Sequence, residues 1–387
     1  AWAAGDLATA VDTFGTAVED LRAAGNATDV LGSTVVLAGM WTARGRPDEA
    51  RRLLERALEG VVAAPGVGSS VAGDLHVALA DVLREAGDLA GAEHHLDVAD
   101  ELGDRASLPE NRHRWFTVSA ALRLAHGDGD GALARLDEAA THVIPGFLPD
   151  LRPVPAQRTR VLLALGRLAE ARAWAGERGV ALADEPTYLT EFDRLTLARL
   201  VLAEHRAGGD GGADEVDAVI RMLDAVVAAA ESGDRRGSVV EATFLRALAW
   251  DASGARPAAR DDLARALALG VPAGYRRIFL DEGAPAEALL SALGTADAGT
   301  VVGARVSASD GSRRSSSTTG VAGPDALSER EREVLRLLAS DLSGPDIARH
   351  LYVSLNTLRT HTKHIFTKLG VTTRRAAVAR GTELGLL

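Results

Sequence analysis

"GRPDEARRLLERALEG", residues 45–60, decides the fold of this chain. A glycine opens it and a proline follows two residues on. Ala50, Leu53, Leu54, Ala57 and Leu58 then recur at helical spacing along one face. The stretch reads as the turn and second helix of a helical hairpin. Gly45 supplies the left-handed residue that ends the preceding helix. Pro47 stands in the first turn of the next helix, where a missing N–H costs little. Ala50 is small enough to let the two helices approach closely.

The Gly-x4-Ala signature recurs along the chain, at Gly5, Gly45, Gly87, Gly127, Gly166 and Gly254. The first four steps are 40, 42, 40 and 39 residues, and the last is 88, about two periods. The glycine-rich "AGGDGGAD" around Gly208 falls where the missing turn is due. A fixed period of this length marks stacked supersecondary units. Aromatics are 4% of the chain, and no alternating Val/Ile runs appear. The fold class is therefore all-α: a helical-hairpin solenoid that resembles tetratricopeptide repeats with a longer period, followed by a small four-helix helix-turn-helix domain. Trp41 and Trp250 each stand four residues before a repeat glycine, in phase with Leu83 and Leu162, which reads as a core position. Trp115 and Trp174 are out of phase and are candidates for a groove.

Composition narrows the chemistry. The chain has 387 residues, a formal charge of −11 and no cysteine, so disulfides, thiolate metal sites and cysteine nucleophiles are excluded. No uncharged apolar run approaches the ~18 residues of a spanning helix, so no membrane partner is expected. No Gly-Lys pair occurs, which excludes a P-loop, and no H-E-x-x-H or G-x-S-x-G appears. No catalytic constellation and no metal site is read, and the chain is expected not to be an enzyme. Asp128 and Asp130 in "HGDGDGALA" imitate the start of a calcium loop without its final Glu, and read as a repeat turn. Adjacent Glu93, His94 and His95 on one helix face different ways and read as a solvated face. The opening "AWAAGDLATAVD" has neither a basic n-region nor an initiator Met, and reads as the middle of a longer protein. The absence of cysteine fits a reducing compartment, and the expected location is the cytoplasm.

Charge divides the chain. Residues 324–387 hold ten Arg/Lys and seven Asp/Glu, while the rest holds 33 and 47. Both lysines of the chain, Lys363 and Lys368, lie between Arg349 and Arg380, a stretch with no acid at all. The expected domains are a repeat body over 1–294, a Ser/Thr/Gly-rich tether over 295–326, and a basic head over 327–387. In the head, Ser328 with Glu331 makes a capping box, and Val334, Leu335, Leu337 and Leu338 form a buried face. Ser343 and Asp346 signal a second helix that turns Ile347, Ala348 and Leu351 inward. Ser354 to Gly370 bound a third helix. Leu358, Thr362, Ile365 and Leu369 share its inner face; Asn356, Arg359, Thr360, Lys363 and Thr367 lie on the other. Two short helices, a tight turn and a basic exposed face describe a helix-turn-helix, whose second helix enters the major groove of double-stranded DNA.

"LSEREREVLRLLA", "DIARHLYVSLNTLRTHTKHIFTKLGV" and "RRAAVARGTELGLL" resemble the LuxR-type DNA-binding domain over about 60 residues. The resemblance implies base reading by Arg359, Thr360 and Lys363. It implies phosphate contacts by Ser354, Asn356, Thr357, Lys368 and Arg375, and a dimer contact by the last helix. "AGYRRIFLDEGAPAEALLSAL" after the last repeat, together with the repeats, resembles the C-terminal half of MalT-like large ATP-binding LuxR regulators. That resemblance implies a transcription activator acting with RNA polymerase, and repeats that sense a small-molecule or protein effector. ATP is implied only for an upstream domain, and no cofactor is expected on the residues of this chain. Two other readings compete. One is a protein-interaction scaffold, which leaves the basic head unexplained. The other is a sigma-factor-like promoter binder, which the fourth helix of the head and the repeats oppose.

Overall fold

The structure is a computed structural model of the chain. It describes residues 1–63, 69–146, 149–208, 212–293, 329–340, 342–343, 347, 362, 365–366, 369, 371, 373–384 and 386. The chain divides into two compact units, 1–311 and 312–387. The tether read over 295–326 lies outside the described residues.

Fifteen α-helices are described in the first unit. They are α1 (Leu7–Ala23), α2 (Ala27–Ala43), α3 (Pro47–Ala63), α4 (Ala72–Glu85), α5 (Leu89–Leu102), α6 (Arg112–Ala125), α7 (Gly129–His142) and α8 (Val154–Ala164), followed by α9 (Leu168–Arg178), α10 (Glu191–Arg206), α11 (Gly212–Ser232), α12 (Arg236–Ala252), α13 (Arg256–Gly270), α14 (Arg277–Leu280) and α15 (Ala284–Leu293). The hairpins turn where the periodic glycines stand. Gly87 and Gly127, both at φ +84°, take the left-handed conformation that closes one helix. The residue after each starts the next helix: Asp88 accepts from the Gly91 N–H, and Asp128 from the Gly131 N–H, both at 2.9 Å. The alanine five residues after each repeat glycine, at 10, 50, 92, 132, 171 and 259, is buried at every occurrence. The missing turn is also present, with Gly208 at φ +80° between α10 and α11.

Even-numbered helices form an inner row and odd-numbered ones an outer row. Each of α2, α4, α6, α8 and α10 packs on the next of the row, and all six, α12 included, pack on their hairpin partners. Flanked on several sides, α4, α10 and α12 bury most of their residues. α3, α5 and α7 bury one stripe and leave the rest to solvent. Trp41 and Trp250 pack at the edges of the core, and Leu83 and Leu162 lie within it.

The inner row does not stay open: α12 packs back against α2, and α14 against α4. Arg44 holds Asp234 through Nε at 3.0 Å and Nη2 at 2.6 Å. The Tyr275 hydroxyl donates to the Thr42 carbonyl. The Arg276 N–H donates to the Glu85 carbonyl at 3.1 Å, and the Ile278 N–H to the Glu85 carboxylate at 2.9 Å. Backbones meet closely here. A side chain on Gly237 would lie 2.7 Å from the Tyr275 hydroxyl and 3.2 Å from the Thr42 and Ala43 carbonyls. The first unit is therefore a closed ring of hairpins around a central channel.

In the second unit the described helices are α16 (Glu329–Leu338) and α17 (Arg374–Glu383). Val334, Leu335, Leu338, Ile347, Ile365, Leu369 and Ala377 form one buried core, with Leu337, Leu342 and Phe366 packed against it. Inward-facing residues read from the sequence in the first three expected helical segments thus come together, and the fourth adds Ala377, which was not singled out; Ala348, Leu351 and Leu358 lie outside the described residues.

Candidate functional site

The described part of the second unit is a scaffold for the basic segment. Ile365 and Leu369, one helical turn apart, anchor that segment in the core against Val334, Leu335 and Leu338. Thr373 caps α17, accepting from the Ala376 N–H at 3.2 Å. Next to it, Arg374 reaches across to the end of α16. Its guanidinium donates to the carbonyls of Leu338 (2.8 Å), Leu342 (2.9 Å) and Ser340 (2.7 Å). These are the last carbonyls of a helix and its turn, which lack intrahelical partners and lie at the negative end of the dipole. Sequence reading passed over Arg374; only its place beside Arg375, at the start of the last helix, hinted at a structural role. Of the residues assigned to DNA, Arg375 is described, and it is exposed at the first turn of α17. Arg359, Thr360 and Lys363, and with them Ser354, Asn356, Thr357 and Lys368, lie outside the described residues.

The first unit holds a second candidate site, the channel, a cavity of about 1190 Å³. Charged side chains from the inner helices face it: Asp81 and Arg84 of α4, Arg114 of α6, Arg160 of α8, Arg199 of α10 and Glu241 of α12. Arg160 and Arg199 each reach Glu241 at 2.9 Å, and Arg199 also reaches Glu282 at 2.6 Å. Arg84 contacts Glu85 at 3.0 Å and Asp281 at 3.2 Å. Burial works against the Glu241 carboxylate, but Arg160 and Arg199 outweigh it and hold its pKa at about 2. Burial, then repulsion from Arg199, lowers the Arg160 guanidinium to about 9. The Arg160 guanidinium also sits 3.6 Å over the Phe192 ring. Sequence reading missed this network, because its members are far apart in the chain and each alone looks like an ordinary helix arginine or carboxylate.

Other singled-out residues find structural places. Trp174, read as a groove candidate, is instead a core residue of α9, 7% exposed, because its face of α9 turns toward α8 and α10. Trp115 is half-buried; its indole N–H donates to the Leu96 carbonyl at 3.1 Å and Arg135 lies over its ring. Asp128, from the calcium-like stretch, is a helix cap. His95, from "EHH", is not a solvated residue. It meets His76 of α4 with Nδ1 atoms 2.8 Å apart, and burial first, then neighbouring histidines, push both pKa values down to about 4. Both rings are therefore neutral near pH 7, one donating to the other.

With this geometry in hand, known proteins place the chain. The family described as the MalT-like TPR region matches residues 1–296, and that of bacterial regulatory proteins of the luxR family matches residues 325–380. Serine/threonine-protein kinase PknK of Mycobacterium tuberculosis is 28% identical over 253 residues, 62% of this chain and 22% of the kinase. The transcriptional regulatory protein NarL of the same species is 49% identical over 61 residues, 16% of this chain and 28% of NarL. A protein of Mycobacterium bovis named as an HTH-type transcriptional regulator is 40% identical over 60 residues, 16% of this chain and 7% of that protein. The chain thus spans under a third of the length of each of these relatives. It joins a helical repeat body to a C-terminal unit of the kind found in bacterial regulatory proteins of the luxR family. This chain belongs to the family described as the MalT-like TPR region, which its model matches over 1–296. No described helix is long and apolar enough to cross a membrane.

Proposed function

We propose that the C-terminal unit reads a specific operator and that the repeat ring controls it by taking up an effector. Arg359, Thr360 and Lys363 read base edges. Ser354, Asn356, Thr357, Lys368 and Arg375 hold the phosphates. A dimer forms on the DNA through the last helix, and RNA polymerase is the downstream partner. The residues of this chain carry out no catalysis and need no cofactor to bind DNA. The carrying observation is the luxR-family match over 325–380, on a unit whose core takes Ile365 and Leu369 from the basic segment. In the sequence, Arg359, Thr360 and Lys363 fall out of helical phase with those two anchors, which supports assigning them to the DNA. The kinase match supports a regulatory body. At 253 residues it is too long to lie within the C-terminal unit, so the repeats recur beside a different output.

The test is paired. DNA fragments selected by the full chain give a preferred site, and each variant is then titrated on that site and on random duplex across a salt series. Arg359→Ala and Lys363→Ala are expected to cost about 1–3 kcal/mol on the preferred site and much less on random DNA. Arg375→Ala weakens both alike and lowers the log–log salt slope by roughly one unit. Equal losses on both duplexes for Arg359→Ala and Lys363→Ala reject the reading helix.

A further inference from the structure

The apolar core of the ring is not continuous. Buried residues between Val35 and Leu122 form one cluster, and those between Ala120 and Leu290 form another. A small third cluster, between Leu7 and Met40, adjoins the first through Trp41 and Leu53. Both large clusters draw on one helix: α6 gives Val118 and Leu122 to the first and Ala120 to the second. The ring is thus two lobes joined through α6. It closes at the seam of α2 and α4 with α12 and α14, and no cluster of buried apolar residues crosses there. Among the described residues, the half-buried Tyr188 ring is the apolar group that reaches over, onto the small cluster. Polar bonds hold the seam: Arg44 to Asp234, Tyr275 to Thr42, the Arg276 and Ile278 N–H groups to Glu85, and Arg84 to Asp281 at 3.2 Å. Such groups regain water when they part, whereas parting an apolar core exposes it, so the ring opens at the seam with the least loss.

Asp234 sets this seam apart. Elsewhere a helix of the ring that ends in a left-handed residue ends in glycine, as at Gly25, Gly87 and Gly254. Among the described residues Asp234, at φ 51°, is the one positive-φ residue that is not glycine. It follows α11, at a place where glycine would sit without strain. What glycine lacks is the carboxylate, which takes both Nε and Nη2 of Arg44 across the seam. The two side chains are 20% and 38% exposed, so water reaches the bond and can replace it. We propose that the ring is a two-lobed clamp, hinged at α6 and latched by Arg44 and Asp234, which opens at the seam while both lobes keep their cores. Thr42 and Glu85 of one lip and Gly237 and Tyr275 of the other line the channel. A molecule that bridges the lips favours the shut state, and the content of the channel thereby sets the shape of the ring.

Spin labels on the full chain, which has no cysteine of its own, test the clamp. Glu93→Cys on α5 and Asp261→Cys on α13 put one label on each lobe, both at exposed positions. Asp234→Gly removes the latch carboxylate and relieves the backbone at once, so an opened seam in this variant is not the product of added strain. It is expected to add a longer population to the distance between the labels. Exchange of the Arg276 and Ile278 amides, which bond across the seam, is expected to quicken at least tenfold. Arg44→Gln, which leaves the Asp234 backbone as it is, opens the seam in the same way. Labels within the second lobe, at Glu138→Cys and Asp261→Cys, keep their distance in both variants. Cross-lobe distances that stay as in wild type in Asp234→Gly and Arg44→Gln overturn the proposal. Faster amide exchange without a longer distance also overturns it, since that is fraying of the short α14 alone. Broadening within the lobe equal to that across the seam overturns it too, because the ring then loosens as a whole. Neither readout involves DNA, so the result is independent of what the C-terminal unit reads.

Discussion

Arg374 and Arg375 are neighbours of one type with unlike surroundings. Arg375 faces solvent, whereas Arg374 spreads its three nitrogens over three carbonyls at the end of α16. Truncating it leaves those carbonyls short of a donor and frees α17 from α16. Arg374→Ala is expected to cost the C-terminal unit about 2 kcal/mol, since each charged bond is worth ~1.5 kcal/mol and the bond to Ser340 is exposed. Hydrogen exchange of segments 329–340 and 373–384 should quicken together, and Arg374→Lys should recover only part, because an ammonium cannot fork across three acceptors. Unchanged protection in Arg374→Ala would mean that apolar packing alone joins the helices. Most inward-facing residues of this unit were legible beforehand: Val334, Leu335, Ile365 and Leu369 sit in the core as their spacing required. The role of Arg374 was not, because nothing local to residue 374 shows that the end of α16 lies beside it.

At the level of the helix, the repeats use one starting device with two grades. Asp88 and Asp128 follow their turn glycine and accept an N–H three residues on, satisfying a donor that the first turn leaves free. Arg167, at the equivalent place after Gly166, gives its helix no side-chain cap. Asp88→Ala should therefore lower the stability of the repeat ring by about 1 kcal/mol in urea unfolding, and Asp88→Asn by much less. Arg167→Ala loses only an exposed pair with Glu170 and should stay within about 0.5 kcal/mol of wild type. If Asp88→Ala and Arg167→Ala behave alike, the caps are redundant with the packing of Leu89 and Ala92 behind them. These elements could be read in advance because a glycine, a cap and an apolar stripe act over five residues or fewer.

For the whole molecule, closure of the ring depends on close approach at one seam. Gly237 sits where α12 meets the end of α2, with no space for a side chain beside Tyr275, Thr42 and Ala43. Gly237→Ala should force the seam apart, costing about 1–3 kcal/mol and speeding hydrogen exchange at residues 40–46 and 275–280. Gly176→Ala, on α9 with open space around it, should change neither. Protection at the seam that survives Gly237→Ala would show that the ion pairs, Arg44–Asp234 above all, close the ring by themselves. The sequence by itself determined the all-α class, the hairpin period, the turn glycines and buried alanines, and the helix-turn-helix class of the head. All of these follow from spacings within a turn or two of helix, or from one short motif. Only the tertiary structure decided that the row of hairpins closes, that Asp234 faces Arg44 across 190 residues, and that Arg160 and Arg199 meet on Glu241 in the channel. The path of the row is a sum of small rotations between neighbouring hairpins. No single residue encodes that sum, so which charges meet inside the ring is settled only when the last inner helix reaches the first.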